Sequence, residues 1–333
     1  MSHGLYDIKT ENILAVMDTL IAKRQLTRRE IALQCSLSLT TVGKIIDSLI
    51  DCGILSQQHP KSVGYGRTPT YLVYSESSLL ALFRFSDADW SMDLVTFRMQ
   101  SKYRVHRRSS PDCDPGEELR SFLWECRKTL GGIHGLIERC ALLAEDTLWE
   151  DAVLVQNIFD YTGLKVTLRD RTPAAISRAA LHLGIATESN CVICIMGSTN
   201  LGGIVIYHGE VREGELHGLT DMTWNPPLYS EQFLQILYLL NAFLTPDILL
   251  ICTDKPAEPL RRSLETALRS VSSRHPITPD IRDAGSFITL GMGLALRTEW
   301  LAHAAAEERK LSFANDRESR AAHSPALSPK ESR

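Results

Sequence analysis

The sequence predicts an α/β protein in two parts: a small module of three helices and a hairpin, then a larger body in which strands and helices alternate. Three observations predict it. Thr27-Arg28-Arg29-Glu30-Ile31-Ala32 opens one helix, and Ser38-Leu39-Thr40-Thr41-Val42-Gly43-Lys44 opens another a few residues on. Gly64-Tyr65-Gly66-Arg67-Thr68-Pro69 then closes a turn between two strand-like runs. From Leu79 onward, apolar runs of strand length alternate with amphipathic segments of helical length, the pattern of an α/β body.

Each element has a local reason. Ile13, Leu14, Met17, Leu20 and Ile21 fall at helical spacing in residues 11–24. Thr27-x-x-Glu30 has the form of a capping box, in which hydroxyl and carboxylate satisfy amides at a helix start. Ser38 is placed to cap the next helix, with Val42, Ile45, Ile46, Leu49 and Ile50 as its buried side and Gly53 as its left-handed stop. Ile54-Leu55 and Tyr71–Tyr74 form the two strands of a wing. In the body, strands are expected at 79–85, 92–98, 165–168, 191–195, 203–207 and 248–252. Helices are expected at 117–130, 152–161, 173–183, 231–243, 257–271 and 287–306; residues 142–148 support no assignment. The chain is therefore divided into 1–76, 77–310 and a polar tail, 311–333, expected to be disordered. No short solenoid-type repeat is present.

Composition narrows the function. The formal net charge is −4, which argues against indiscriminate coating of nucleic acid but allows a small basic module on an acidic body. Residues 1–75 carry eight Lys/Arg and six Asp/Glu, a net +2, so the remainder carries −6. The 8 cysteines show no framework spacing, nothing resembles a signal peptide, and the longest apolar stretch, near Ile236–Leu244, is far short of the ~18 residues a membrane span needs. A reduced, cytoplasmic protein is expected.

Helix, tight turn, helix and basic hairpin in that order is a winged helix-turn-helix, and double-stranded DNA is its expected partner. Ser38, Thr40, Thr41, Gly43 and Lys44 lie near the N-terminus of the second helix, where a recognition helix meets base edges, with Gly43 allowing close backbone approach. Arg28 and Arg29, at the preceding helix start, suit phosphates; Arg67, in a glycine-flanked wing turn, suits a narrow minor groove. The alternatives are a scaffold with a solvated polar face and an Arg67 that anchors the wing.

These residues together, with the Gly66-Arg67-Thr68-Pro69 wing running into a strand pair, resemble the ROK regulators, which join a winged helix-turn-helix to a sugar-kinase-like body. The resemblance spans residues 10–305. It implies an actin/hexokinase-like α/β body that serves oligomerisation, a homodimer above all, and the sensing of a sugar, sugar phosphate or regulatory protein.

The body departs from the family where chemistry would reside. The family's first phosphate loop carries D-x-G; the matching Phe83-Arg84-Phe85-Ser86 puts Arg84 and Ser86 in place of acid and glycine. The stretch Val166-Thr167-Leu168-Arg169-Asp170-Arg171-Thr172-Pro173-Ala174-Ala175 resembles the family's catalytic E-N-D-A-N-A-A; aligned on Ala174-Ala175, it puts Arg171 at the position of the catalytic Asp and Pro173 at that of the second Asn. Arginine cannot accept the hydroxyl proton, and Asp170 would serve only if the register were shifted by one. The second phosphate loop appears as Gly197-Ser198-Thr199-Asn200-Leu201-Gly202-Gly203, short of two central glycines, and the turn reading is the simpler one. The family's zinc cluster is missing: the expected His falls on Asp221, His217 stands alone, and Cys191-Val192-Ile193-Cys194 on a strand would point its thiols to opposite faces. The loop that offers an Asn to the sugar has no counterpart near Asp146–Asp151.

The expectation is a DNA-binding transcriptional regulator, a repressor, with a catalytically inactive body, no cofactor and no metal. The rivals are an ATP-dependent sugar kinase carrying a DNA-binding domain, and an interaction module whose DNA head is vestigial.

Overall fold

The computed structural model describes residues 5–322 apart from 24, 52, 60–68, 76–77, 87–88, 109, 111–112, 145–148, 186, 188–189, 197–200, 213–245 and 254–277. The chain divides into two compact units, one of residues 1–78 with 297–333 and one of residues 79–296.

In the first unit, α1 (Leu5–Ala22), α2 (Arg28–Gln34) and α3 (Leu39–Asp51) precede β1 (Leu55–Gln58) and β2 (Tyr71–Tyr74). α1 buries Ile13, Val16, Met17 and Leu20 at i, i+3, i+4 and i+7, against Ile31 and Ala32 of α2 and Val42, Ile45, Ile46 and Leu49 of α3. Each fully buried Leu, Ile or Val contributes roughly 1.5–3 kcal/mol. The capping box is formed: the Thr27 amide donates to Glu30 Oε2 at 2.7 Å and the Glu30 amide to Thr27 Oγ1 at 3.3 Å. The Thr27 amide, together with the Thr27 hydroxyl that donates to the same oxygen at 2.8 Å, holds the Glu30 carboxyl below the ordinary carboxylate range. The turn into α3 is made by Ser36 at φ 54, a left-handed position without glycine. Gly53, at φ 72, ends α3 as expected, with Gly53 N donating to Ile50 O and Ile54 N to Leu49 O. β1 and β2 pair antiparallel from Leu55–Tyr74 to Gln58–Tyr71, and Leu26 adds a bridge to Leu72. Buried Tyr74 donates its hydroxyl to the Met17 carbonyl at 2.8 Å, tying the wing to α1.

In the second unit, β3 (Leu79–Phe85), β4 (Asp89–Thr96), β5 (Ser101–Arg108), α4 (Pro115–Leu130), β6 (Ile137–Ala144), α5 (Asp151–Thr162), β7 (Val166–Asp170) and α6 (Thr172–His182) build one sheet and its helices. Its strand order is β5-β4-β3-β6-β7, with the β3–β4 and β4–β5 pairs antiparallel and the β3–β6 and β6–β7 pairs parallel. β8 (Cys191–Met196), β9 (Leu201–Tyr207), β10 (Glu210–Arg212), β11 (Ile248–Thr253) and β12 (Thr278–Asp283) repeat that plan: the order is β10-β9-β8-β11-β12, with the same sequence of antiparallel and parallel pairs. The body is thus a topological duplication. One face of the first sheet packs on α4 and α5 through Phe83, Phe85, Trp90, Phe122, Leu123, Leu154 and Ile158. Phe85 meets Phe122 edge-on at 5.7 Å.

Several elements differ from expectation. β5 reads as loop because Lys102, Arg104, His106, Arg107 and Arg108 crowd a segment with a single buried residue, Val105. It is held as an edge strand by Arg104 on buried Asp93 (2.5 Å) and Arg107 on Glu125 (3.0 Å). β12 is polar as well and emerges from its parallel pairing to β11. The unassigned stretch around 142 is the end of β6. The helices expected at 231–243 and 257–271 lie outside the described residues.

The helix expected at 287–306 is α7 (Ala284–Ala322), continuous through residues read as the start of a disordered tail. The reason is composition: Ala304–Lys310 and the residues after it are polar yet rich in strong helix formers. Residues of α7 from 297 onward group with the first unit. There Arg297, 6% exposed, donates to Asp18 at 3.3 Å while its Nε and Nη1 meet no acceptor among the described residues. Burial lowers its pKa. No helix among the described residues is long and apolar enough to cross a membrane.

Within the second unit α7 crosses α6 at Gly291, where a methyl group would overlap the carbonyl of Ala175. Gly291→Ala should therefore lower stability by about 3 kcal/mol in denaturant unfolding. Gly132→Ala, with no atom within 4 Å of the added carbon, should change it little.

Candidate nucleic-acid interface

α3 begins at a serine cap. Ser38 Oγ accepts from the Thr41 amide at 3.0 Å and shares a hydroxyl contact with Thr41 Oγ1 at 2.8 Å. Ser38 and Thr41 are thereby committed to each other, while Thr40 stays exposed one residue away. Lys44, one turn further, is exposed and holds no partner among the described residues. The same holds for Arg29 on α2.

Arg28 does something the sequence did not suggest. Its guanidinium reaches across to α3 and grips Asp47, with Nη2 to Oδ1 at 2.5 Å and Nη1 to Oδ2 at 3.3 Å. This contact keeps the Asp47 carboxyl below the usual carboxylate range. Gly43 lies under that crossing: a Cβ there would come within 3.7 Å of Arg28 Nη1. That distance is an ordinary contact, so the clamp itself does not require glycine at 43. Asp47 and Asp51 are acids on the exposed side of α3, and the clamp neutralises the one nearer the N-terminal end. Two residues nineteen positions apart on different helices give no periodic signal, so the pair is invisible to pattern reading. Leu39 is 57% exposed at the first position of α3, where an apolar residue carries no functional signal in the sequence. Arg67 lies outside the described residues, so the wing tip contributes no geometry.

In the body, Arg84 occupies the end of β3, and its Nε is buried without a partner among the described residues. Asp170 ends β7 with its side chain 4% exposed and both oxygens taken by Arg178, at 2.7 and 2.8 Å. Arg178 also donates to the Gly291 carbonyl at 2.8 Å. Arg171 is the exposed residue at the start of α6, and its amide donates to Asp170 Oδ1 at 2.9 Å. So Asp170, one residue before the Arg171 position, is buried in a bidentate ion pair. Gly197–Asn200, His217 and Asp221 lie outside the described residues, and Gly203 sits on β9. Burial pushes the Cys191 thiol up to about 12, which keeps it neutral.

Among solved structures the chain matches one described as a ROK family transcriptional regulator, homologue of the E. coli Mlc protein, with TM-score 0.61 over 90% of this chain and 99% of that chain at 14% identity. The fold is that of a ROK-family regulator. The winged helix-turn-helix followed by an actin/hexokinase-like α/β body, expected from the sequence, is therefore the architecture found. A ROK family glucokinase from Streptomyces griseus, in complex with glucose and AMPPNP, aligns with TM-score 0.44 and 10% identity over 65% of this chain and 99% of its own. A ROK hexokinase from Thermus thermophilus aligns with TM-score 0.41 and 14% identity over 66% and 98%. No family model matches the sequence, and no curated protein matches it.

Removing the acid from a buried ion pair leaves its partner uncompensated. Asp170→Asn should lower the stability of the protein by roughly 2–3 kcal/mol, below the full cost of a buried charge because Arg178 keeps some water contact. Thermal unfolding that leaves the midpoint unchanged would contradict the assignment of Asp170 as structural.

Proposed function

We propose that the protein is a sequence-specific, cytoplasmic DNA-binding transcriptional regulator, a repressor, that acts as a homodimer. Each protomer places the N-terminal turn of α3 in a major groove and the Arg67 wing beside it. The body has no kinase activity and serves dimerisation and the sensing of a sugar, a sugar phosphate or a regulatory protein. The observation that carries this reading is the capped N-terminus of α3, where Leu39, Thr40 and Lys44 are exposed side by side on a helix whose opposite face is core. The fold supports it, since the matched ROK regulator is described as a transcriptional regulator. The loss of kinase function is supported by Asp170, whose oxygens are both engaged by Arg178 and so are not available as a general base.

The test is selection of duplex DNA from a random-sequence pool at physiological salt. A shared two-fold-symmetric site is expected, with Lys44→Ala weakening it and reducing the salt dependence of binding by about one counterion. No enrichment by folded protein sinks the reading. Hexose-dependent ADP release at background level is expected, and turnover above background would restore the kinase alternative.

The Arg28–Asp47 clamp separates two roles for Arg28. If Arg28 masks an acid near the phosphates, Arg28→Ala weakens DNA binding about three- to tenfold, the scale of about 1 kcal/mol for a surface charge. Adding Asp47→Ala then recovers most of the loss. A double variant as weak as the single one would instead make Arg28 a direct phosphate contact.

A further inference from the structure

Leu39 occupies a place on α3 that packing does not explain. The buried side of the helix is Val42, Ile45, Ile46 and Leu49, and Leu39 is 57% exposed at the first helical position. A lone exposed leucine is ordinary on a protein surface; its neighbours make this one informative. The Ser38 cap fixes the backbone from which Leu39 projects. Of the three hydroxyls at this end, those of Ser38 and Thr41 are bonded to each other, which leaves Thr40 and Lys44 as the groups free to hydrogen-bond a base edge. Further along, Asp47 is held by Arg28 and Asp51 leaves the far end of the exposed side acidic, so a polyanion is met by the first turn. An apolar side chain on that turn has one specific partner in a major groove, the 5-methyl of thymine, which no other base presents.

We infer that Leu39 is a specificity-determining residue that packs on the methyl group of a thymine in each half-site. This inference rests on the DNA-reading function proposed above and adds the chemistry of one base position to it. The contact discriminates thymine from cytosine by apolar packing, beside hydrogen bonds from Thr40 and Lys44.

The test uses the duplex that the full-length protein enriches from a random pool, together with duplexes in which deoxyuridine replaces each half-site thymine in turn, so that only a methyl is lost. Affinities are compared by fluorescence anisotropy at one fixed salt concentration. One thymine per half-site should show about fourfold weaker binding on losing its methyl, the factor that corresponds to one buried methyl group. Leu39→Ala should weaken binding to the thymine duplex by at least that factor and should no longer distinguish deoxyuridine from thymine there. Leu33→Ala, which removes an 82% exposed leucine on α2, should keep the distinction. Wild-type affinity for Leu39→Ala, or a methyl effect that survives that substitution, overturns the inference while leaving the DNA-reading function intact. A pool in which no sequence is enriched overturns both.

Discussion

The bidentate pair between Asp170 and Arg178, extended to the carbonyl of Gly291, is the interaction on which the body's organisation turns. It ties the end of β7 to α6 and α6 to α7. It also requires Gly291, since the helices approach too closely for any side chain there. Burying a carboxylate costs several kcal/mol unless its lone pairs are satisfied. Here both oxygens meet Arg178 and one also accepts the Arg171 amide. A carboxylate so engaged does structural work, one residue before the position that Arg171 takes in the family's catalytic motif.

The N-terminal module shows a related use of charge. α3 bears Asp47 and Asp51 on its exposed side. The Arg28 clamp neutralises one of these acids in a bridge between α2 and α3. The same bridge links the two helices beside Gly43. What remains open toward solvent is a short turn bearing Leu39, Thr40 and Lys44.

Much of the head was legible in the sequence. The Thr27–Glu30 box, the Ser38 cap and the Gly53 stop are local devices whose chemistry involves residues one turn apart, and each formed as expected. The fold class of the body followed from alternating periodicities. β5 and β12 were not legible, because an edge strand held by Arg104–Asp93 and Arg107–Glu125 looks like solvated loop until its partners are known. The extent of α7 was misjudged because polar composition was weighed above helix propensity.

The sequence by itself determined the elements of the N-terminal module, their caps and the departures from the family's kinase motifs at Arg84 and Arg171, since these depend on residue identity and short spacing. Tertiary structure alone decided the duplicated strand order, the confinement of Asp170 and the Arg28–Asp47 clamp. The physical reason is range: caps and periodic faces are settled within a turn or two of chain, whereas an ion pair such as Arg28 with Asp47 or a close approach such as Gly291 on Ala175 exists only once distant segments have been packed together.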